Sequence, residues 1–278
     1  MRFSVLGSGS TGNATLVTAL HTSLMVDAGF SGKELKRRLE AVEVAPEDIQ
    51  GIVITHEHGD HTQGAGIFSR RYGTPLWMTA RTRDACSRFL KGTEDVRTYR
   101  PGYPFEIGGL RLEPFITVHD AVDPVAIAVV DQGTGLRLGI ATDMGRPSVQ
   151  IRHALKRCDA LVVESNYDEV MLWAGAYPPS VKARIASSHG HLSNQAAARF
   201  LTDLMNPRLS AVILAHLSAE SNTPELARSV GGKALRNKGF RGLLDVSAPD
   251  GPTALVDLDR VRSRWGAPQL SLFGRGPD

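Results

Sequence analysis

Cysteine is scarce in this chain, with two in 278 residues, Cys86 and Cys158. They are far apart, and each lies in a stretch with helical spacing, so two buried free thiols are expected rather than a disulfide or a ligand pair. Aromatic residues make up only 6% of the chain. No apolar run is long enough to cross a bilayer, which excludes a helical membrane span. The opening residues Met1-Arg2-Phe3-Ser4-Val5-Leu6 run straight into a glycine loop and lack the apolar core and cleavage site of a signal peptide. A cytoplasmic location with no membrane partner is expected. Charge of one sign is not dominant either: 32 Lys and Arg against 29 Asp and Glu leave a net +3. That mild basic excess is compatible with a polyanionic substrate and cannot name one.

A chain that is 42% hydrophobic and 22% charged has the composition of a folded globular protein. Its length suits one large α/β domain, and no long linker interrupts it before about residue 260. Short β-branched and apolar runs recur: Ile52-Val53-Ile54, Phe115-Ile116-Thr117-Val118, Leu138-Gly139-Ile140-Ala141, Leu161-Val162-Val163 and Val212-Ile213-Leu214. These predict buried strands. Helical spacing falls between them, at Leu35, Leu39 and Val42, and from Ala196 to Leu204 after a cap at Ser193 or Asn194. The class is α/β or layered α+β, with helices outside sheets.

The residues after those strands carry the chemistry: Thr55-His56, His119, Thr142-Asp143, Glu164-Ser165-Asn166 and Ala215-His216. Polar, metal-capable side chains therefore gather at one end of the sheets, where α/β scaffolds build active sites. The Gly7-Ser8-Gly9-Ser10-Thr11-Gly12 segment matches a dinucleotide-binding pattern, but a helix should follow it. Instead Thr15 and Val17 alternate, His21-Thr22 turns, and Leu24-Met25-Val26 returns, so a hairpin is predicted and the glycines let a loop approach its neighbours closely.

Thr55-His56-Glu57-His58-Gly59-Asp60-His61 places four ligand-type residues within six positions, just after an apolar strand. A lone histidine is usually a surface or satisfied core residue; this density points to metal. His56 and His58 are two apart, so a turning backbone can aim both at one ion, while Asp60 and His61, entering a helix, can serve a neighbouring one. His119, Asp143 and His216 join from separate strand ends.

This pattern of His-x-His-x-Asp-His followed by a later His, Asp and His resembles the ligand signature of the metallo-β-lactamase superfamily. The resemblance implies an αββα sandwich of two β-sheets flanked by helices. It implies two divalent ions: His56, His58 and His119 on the first, Asp60, His61 and His216 on the second, and Asp143 between them. Asp27 resembles the family's buried acid behind the histidine loop, a structural support. Such ions activate water and stabilise charge on the substrate's oxygens. The mixed nitrogen and oxygen ligands suit manganese, zinc and iron alike.

Further segments narrow the resemblance: the glycine loop through Asn13, Glu164-Ser165-Asn166-Tyr167-Asp168, Ser188-His189-Gly190-His191-Leu192-Ser193-Asn194 and His216-Leu217-Ser218-Ala219-Glu220-Ser221-Asn222. Together they look like the YycJ (WalJ) family of bacterial proteins, over about residues 1 to 258. Glu220-Ser221-Asn222 departs from the family's Glu-Asn-Asn by one small polar change. The resemblance implies a 5′-to-3′ exonuclease on double-stranded DNA, with a part in mismatch repair. Asp60 and His191 are the expected catalytic residues, and Asn13, Asn166 and His191 the expected substrate contacts. His191, just before a helix cap, either holds a phosphate beside the helix's free N–H groups or only packs that helix.

From Arg260 onward, glycines, a proline and alternating arginines suggest a flexible basic tail, residues 260–278, following a catalytic domain of residues 1–259. Within it Gln269-Leu270-Ser271-Leu272-Phe273 resembles the short peptide by which bacterial replication and repair proteins dock on the DNA sliding clamp. A strand folded back onto its own core is the plain alternative. A small-molecule hydrolase acting on a thioester or lactam, or a ribonuclease, would use the same ligands.

Overall fold

The computed structural model describes residues 1–265. Gln269, Leu270, Ser271, Leu272 and Phe273 lie outside them. The chain first builds β1 (Arg2–Gly7), β2 (Ala14–Ala19), β3 (Thr22–Val26), β4 (Ile49–Val53), β5 (Leu76–Met78) and β6 (Val96–Thr98). A second sheet follows: β7 (Phe105–Ile107), β8 (Leu110–Ile116), β9 (Val125–Asp131), β10 (Arg137–Ala141), β11 (Ala160–Glu164), β12 (Ala211–Ala215) and β13 (Leu243–Val246). The chain then returns to the first sheet as β14 (Val256–Asp257), paired to the outer edge of β1. Spatial order is β14-β1-β2-β3-β4-β5-β6 in one sheet and β13-β12-β11-β10-β9-β8-β7 in the other. Each sheet is antiparallel on its early strands and parallel on its later ones, with the change at β3 to β4 and at β10 to β11.

Burial on both faces explains the unbroken apolar runs of the parallel strands. In β12, Ala211, Ile213 and Ala215 enter the core between the sheets, while Val212 and Leu214 enter an outer core under helices. The same alternation in β11 sends Ala160 and Val162 inward and Leu161 and Val163 outward. Helices Val149–Leu155, Asn194–Leu204 and Pro224–Asn237 cover that outer face through Ile151, Leu155, Phe200, Leu201 and Leu235. Phe200 is almost fully buried, which stabilises the fold by roughly 1.5–3 kcal/mol. Helices Gly32–Ala41 and Ala65–Tyr72 cover the first sheet through Leu35, Leu39 and Phe68. The result is the four-layer arrangement expected from the sequence, helix, sheet, sheet, helix.

The predicted hairpin is β2 with β3, antiparallel, with Thr15 opposite Val26. A Cβ on Gly12 would come within 2.6 Å of the Phe30 ring, so the glycine loop does approach its neighbour closely. Ser193 caps Asn194–Leu204, accepting from the Ala196 N–H. Two expectations change. Cys158 is buried and free, as Cys86 is, but it precedes β11 in a turn rather than sitting in a helix. The boundary expected at residue 259 falls inside a helix, Leu258–Trp265. Leu258 is fully buried, Val261 packs on the inter-sheet core and Arg262 pairs with Asp159, so residues 260–265 belong to the folded body. Among the described residues no helix is long and apolar enough to cross a membrane.

Candidate metal centre

The C-terminal ends of β3, β4, β10, β11 and β12 point the same way, and their following residues meet there. His56 comes three residues after β4; His58 precedes the short helix Gly59–Thr62, which carries Asp60 and His61 in its single turn. His119 follows β8, Asp143 follows β10, and His216 follows β12. Ring nitrogens of His56, His58 and His119 lie within 4.8 Å of one another, as do the ligand atoms of Asp60, His61 and His216. His56, His61 and Asp143 form a further set that joins the two. Asp143 reaches both sides: Oδ2 is 3.0 Å from His61 Nε2, and Oδ1 is 3.5 Å from His216 Nε2 and 3.7 Å from His119 Nε2.

Four of these histidines have Nδ1 engaged behind the cluster, which aims Nε2 into it. His61 Nδ1 is 2.8 Å from Asp27 Oδ2, His119 Nδ1 is 3.1 Å from the Gly190 carbonyl, and His56 Nδ1 is 3.0 Å from Thr55 Oγ1. His216 Nδ1 is 3.1 Å from Glu164 Oε1. This fixes both tautomer and ring orientation, the pattern that supports metal-binding histidines. His56 Nε2, His119 Nε2 and Asp143 Oδ2 are buried and make no well-aligned hydrogen bond, although His61 Nε2 lies 3.0 Å from the last. Orphaned polar atoms of that kind are costly, and all three converge on one point. The donor set therefore fits divalent cations, which would satisfy them together.

Backbone strain accompanies the site. Asp27, Asp143 and His216 have φ of 64°, 54° and 56°, a left-handed conformation that costs on the order of 1–3 kcal/mol each outside glycine. Asp27 is positioned to repay it: Oδ1 accepts from the Thr55 N–H at 2.8 Å, which holds the start of the histidine loop.

Electrostatics sort the cluster into acids and bases. Burial opposes ionisation of Asp143, but the neighbouring His216 and His61 overcome it and hold the carboxyl well below its usual range. Burial likewise opposes protonation of His216, yet Asp143, Asp60 and Glu164 push its pKa up to about 10. His61 is raised well above the imidazole range by Asp143 and Asp27 against the same burial. His56, fully buried and facing His61, is lowered well below it, and burial lowers His119 too. Cations entering this cluster displace protons from the raised histidines, so metal binding releases protons.

Glu164, grouped from the sequence with the metal-capable residues at strand ends but given no role there, acquires one in the structure. Fully buried at the end of β11, it accepts from the Met144 and Leu192 N–H groups through Oε2 and sits 2.6 Å from His191 Nδ1 through Oε1. The one carboxylate thus orients both His191 and His216. Its burial raises its pKa, but His191 and His216 outweigh that and lower it. The only advance signal was its place immediately after an apolar strand. Glu164→Gln is expected to weaken metal affinity about 10–100-fold with the fold kept. Competition against a chelator measures this, and an unchanged affinity would show Glu164 to be mere packing.

The expected substrate contacts occupy different depths. Asn13 is buried: its amide nitrogen lies 3.1 Å from Asp60 Oδ2 and 3.3 Å from the Asp60 carbonyl, and its oxygen accepts from Ser8 Oγ. Ser8 in turn accepts from the His216 N–H, so the glycine loop ties both sheets' ligands together. Asn166, also buried, donates to the His216 carbonyl at 2.7 Å. Asn166 and half-buried His191 line a cleft of about 290 Å³ over the cluster, with His58, Asp60, His119, Asp143, His216 and a far wall around Arg184.

Residues 22–216 match the family described as the beta-lactamase superfamily domain. The chain is also 36% identical over 250 residues to the exodeoxyribonuclease YycJ of Bacillus anthracis, covering 86% of this chain and 91% of that one. The chain belongs to the metallo-β-lactamase superfamily, beside YycJ and WalJ. Its resemblance to the exodeoxyribonuclease WalJ of Streptococcus pneumoniae is 34% over 230 residues, 81% of this chain and 85% of that one. Solved structures of the superfamily fold superpose at lower identity. YhfI from Bacillus subtilis gives a TM-score of 0.68 at 16% identity, covering 91% of this chain and 98% of that one. Zinc-bound PqqB from Methylobacterium extorquens gives 0.67 at 15%, covering 92% and 100%. These distant neighbours establish the metallo-β-lactamase fold.

Proposed function

We propose that this superfamily member is a dinuclear metal-dependent phosphodiesterase that removes nucleotides from the 5′ ends of double-stranded DNA. The observation that carries the reading is the pair of three-ligand sets joined by Asp143, in a chain whose relatives at about this identity are named exodeoxyribonucleases. His56, His58 and His119 would hold one ion, Asp60, His61 and His216 the other, with Asp143 shared. Manganese or zinc, with iron as the alternative, would supply an activated water there and neutralise charge on the phosphodiester.

The chain's own residues then do the rest. Glu164 holds His191 by Nδ1, and in the doubly protonated ring Nε2 would donate to a phosphate oxygen or to the leaving sugar oxygen. Asp60 is oriented by Asn13 and by His216, 3.4 Å away. The cleft is small by the standard of ligand pockets, on the order of 300 Å³ and upward, a size that suits one nucleotide at a strand end. Its lining includes the polar groups Asp120, Arg184 and His189 beside Tyr177, Val181 and Ile185, a mixture that suits the phosphate and base of a nucleotide. Duplexes labelled at 5′ or 3′ ends, and single strands, assayed with manganese, magnesium or zinc, test the reading. Mononucleotides released first from the 5′ end of duplex are expected; intact DNA with every metal would favour the small-molecule hydrolase.

A role in mismatch repair and recruitment by the sliding clamp belong to the same proposal. The repair role rests on the resemblance to YycJ and WalJ, and clamp recruitment on Gln269, Leu270, Ser271, Leu272 and Phe273, a peptide with three apolar residues for a pocket and one orienting polar group. A chain ending at Pro268 is expected to lose at least about tenfold in clamp affinity, or ~1.4 kcal/mol. Equal binding by the shortened and full chains in a titration would remove the clamp from the account.

A further inference from the structure

Opposite the cluster, the cleft wall is a helix that the fold's core does not require. Helix Pro179–Ile185 buries none of its side chains, yet Val181, Arg184 and Ile185 all line the cleft, with Tyr177 just before them. Their spacing of three and four puts them on one helical face. The wall is fastened where it meets the site: the His191 N–H donates to the Ile185 carbonyl at 2.9 Å, and the Asp120 N–H to the His189 carbonyl at 3.0 Å. It is therefore registered against His191 and against the segment that follows His119.

Arg184 is the one Lys or Arg among the described residues lining this cleft, and it forms no ion pair with any of them. Some surface arginines are paired, as Arg152 is with Asp203 and Arg208 with Asp159; Arg184 differs from the other unpaired ones among the described residues in lining the cleft across from the cluster. A guanidinium left free across from a cluster that would take one phosphate is suited to another phosphate, since it binds such groups with two parallel hydrogen bonds. A nucleic-acid strand offers one at every nucleotide.

Resting on the nuclease reading above, we propose that Arg184 binds the DNA phosphate adjacent to the scissile one, while Tyr177, Val181 and Ile185 pack against the nucleotide between them. Arg184 is then a specificity-determining residue. It makes a strand with a second phosphate a better substrate than a simple phosphodiester and sets the strand's position over His191.

The test uses the full-length, manganese-loaded protein and duplexes in which the phosphate on one side or the other of the scissile bond is a neutral methylphosphonate. Wild-type protein is expected to cleave one of the two modified duplexes at least about tenfold more slowly than natural DNA, the effect of a lost charged hydrogen bond. Arg184→Ala is expected to be slower on natural DNA by a similar factor and to treat natural and modified duplexes alike. Arg184→Lys should keep part of the discrimination, because it keeps the charge without the fork. Metal content equal to wild type in both variants assigns the loss to the wall rather than to the cluster. Undiminished discrimination by Arg184→Ala, or none by wild type at either position, overturns the proposal. Failure of wild type to cleave any natural duplex would instead overturn the nuclease reading and this inference with it.

Discussion

Asp143→Ala is expected to lower turnover on duplex DNA by about a thousandfold or more while leaving the protein folded. The magnitude is that of the several kcal/mol of charge stabilisation a divalent ion contributes, because Asp143 is the group that both ligand sets share. Its oxygens face His61 and His216 of one ligand set and His119 of the other, the position a shared ligand needs. It is 3% exposed and makes no contact that the sheets need. Its left-handed φ is tolerable in Asp and slightly strained in Ala, which sets the stability cost low against the catalytic one. Asp143→Asn keeps the shape and removes the charge, and should lose most of the same activity. Turnover, metal content and circular dichroism, measured on the same samples, check this. Wild-type turnover from a folded, metal-stripped Asp143→Ala protein would refute the role.

Gly29→Ala is expected to cost about 3 kcal/mol or more, a drop of roughly 5 °C or more in Tm for a chain of this size, and to empty the metal centre. A Cβ at Gly29 would lie 1.6 Å from the Asp60 carbonyl oxygen and 2.7 Å from the Asn13 nitrogen. Both are backbone atoms, so no side-chain rotation relieves the clash. The strip is stitched on both sides, by Asn13 N–H to the Asp60 carbonyl at 2.7 Å and Ala28 N–H to the His61 carbonyl at 2.8 Å. Pushing it outward moves Asp60 and His61 together. Gly73→Ala is the control: its φ of 69° is left-handed, but open space surrounds it, so only about 1–2 kcal/mol should be lost and metal content should hold. Thermal melts with metal analysis decide between the two. An unchanged Tm in Gly29→Ala would mean the close approach is not a constraint.

The histidine loop was legible because its chemistry is dense and local: four ligands within six residues cannot be explained by packing. His119, Asp143 and His216 were legible for a second reason. Each follows a run whose β-branched composition announces a buried strand, and strand ends in this architecture share an edge. Asp27 came from family resemblance, and the structure supplies its mechanism, a carboxylate that holds Thr55 and His61 at once. Glu164 stood out only as one metal-capable residue at a strand end; its partners were opaque, because only the meeting of β11 with the loop before Asn194–Leu204 brings His191 to it. The left-handed backbone at Asp143 and His216 leaves no trace in residue type. Sheet order was also out of reach, since β14 pairs with β1 across nearly the whole chain. The basic stretch from Arg260 onward looked like a tail from composition, but Leu258 just before it and Val261 within it pack onto the core, a periodicity too short to stand out among its arginines.

The most direct measurement of the central claim is a titration of metal-stripped, full-length protein with manganese or zinc, following release of nucleotides from duplex DNA against equivalents of bound metal. The account predicts no cleavage without metal and activity that rises to a plateau at two ions per chain. Full-rate cleavage by the stripped protein, or a plateau reached with a single ion, would contradict a shared dinuclear centre built on Asp143.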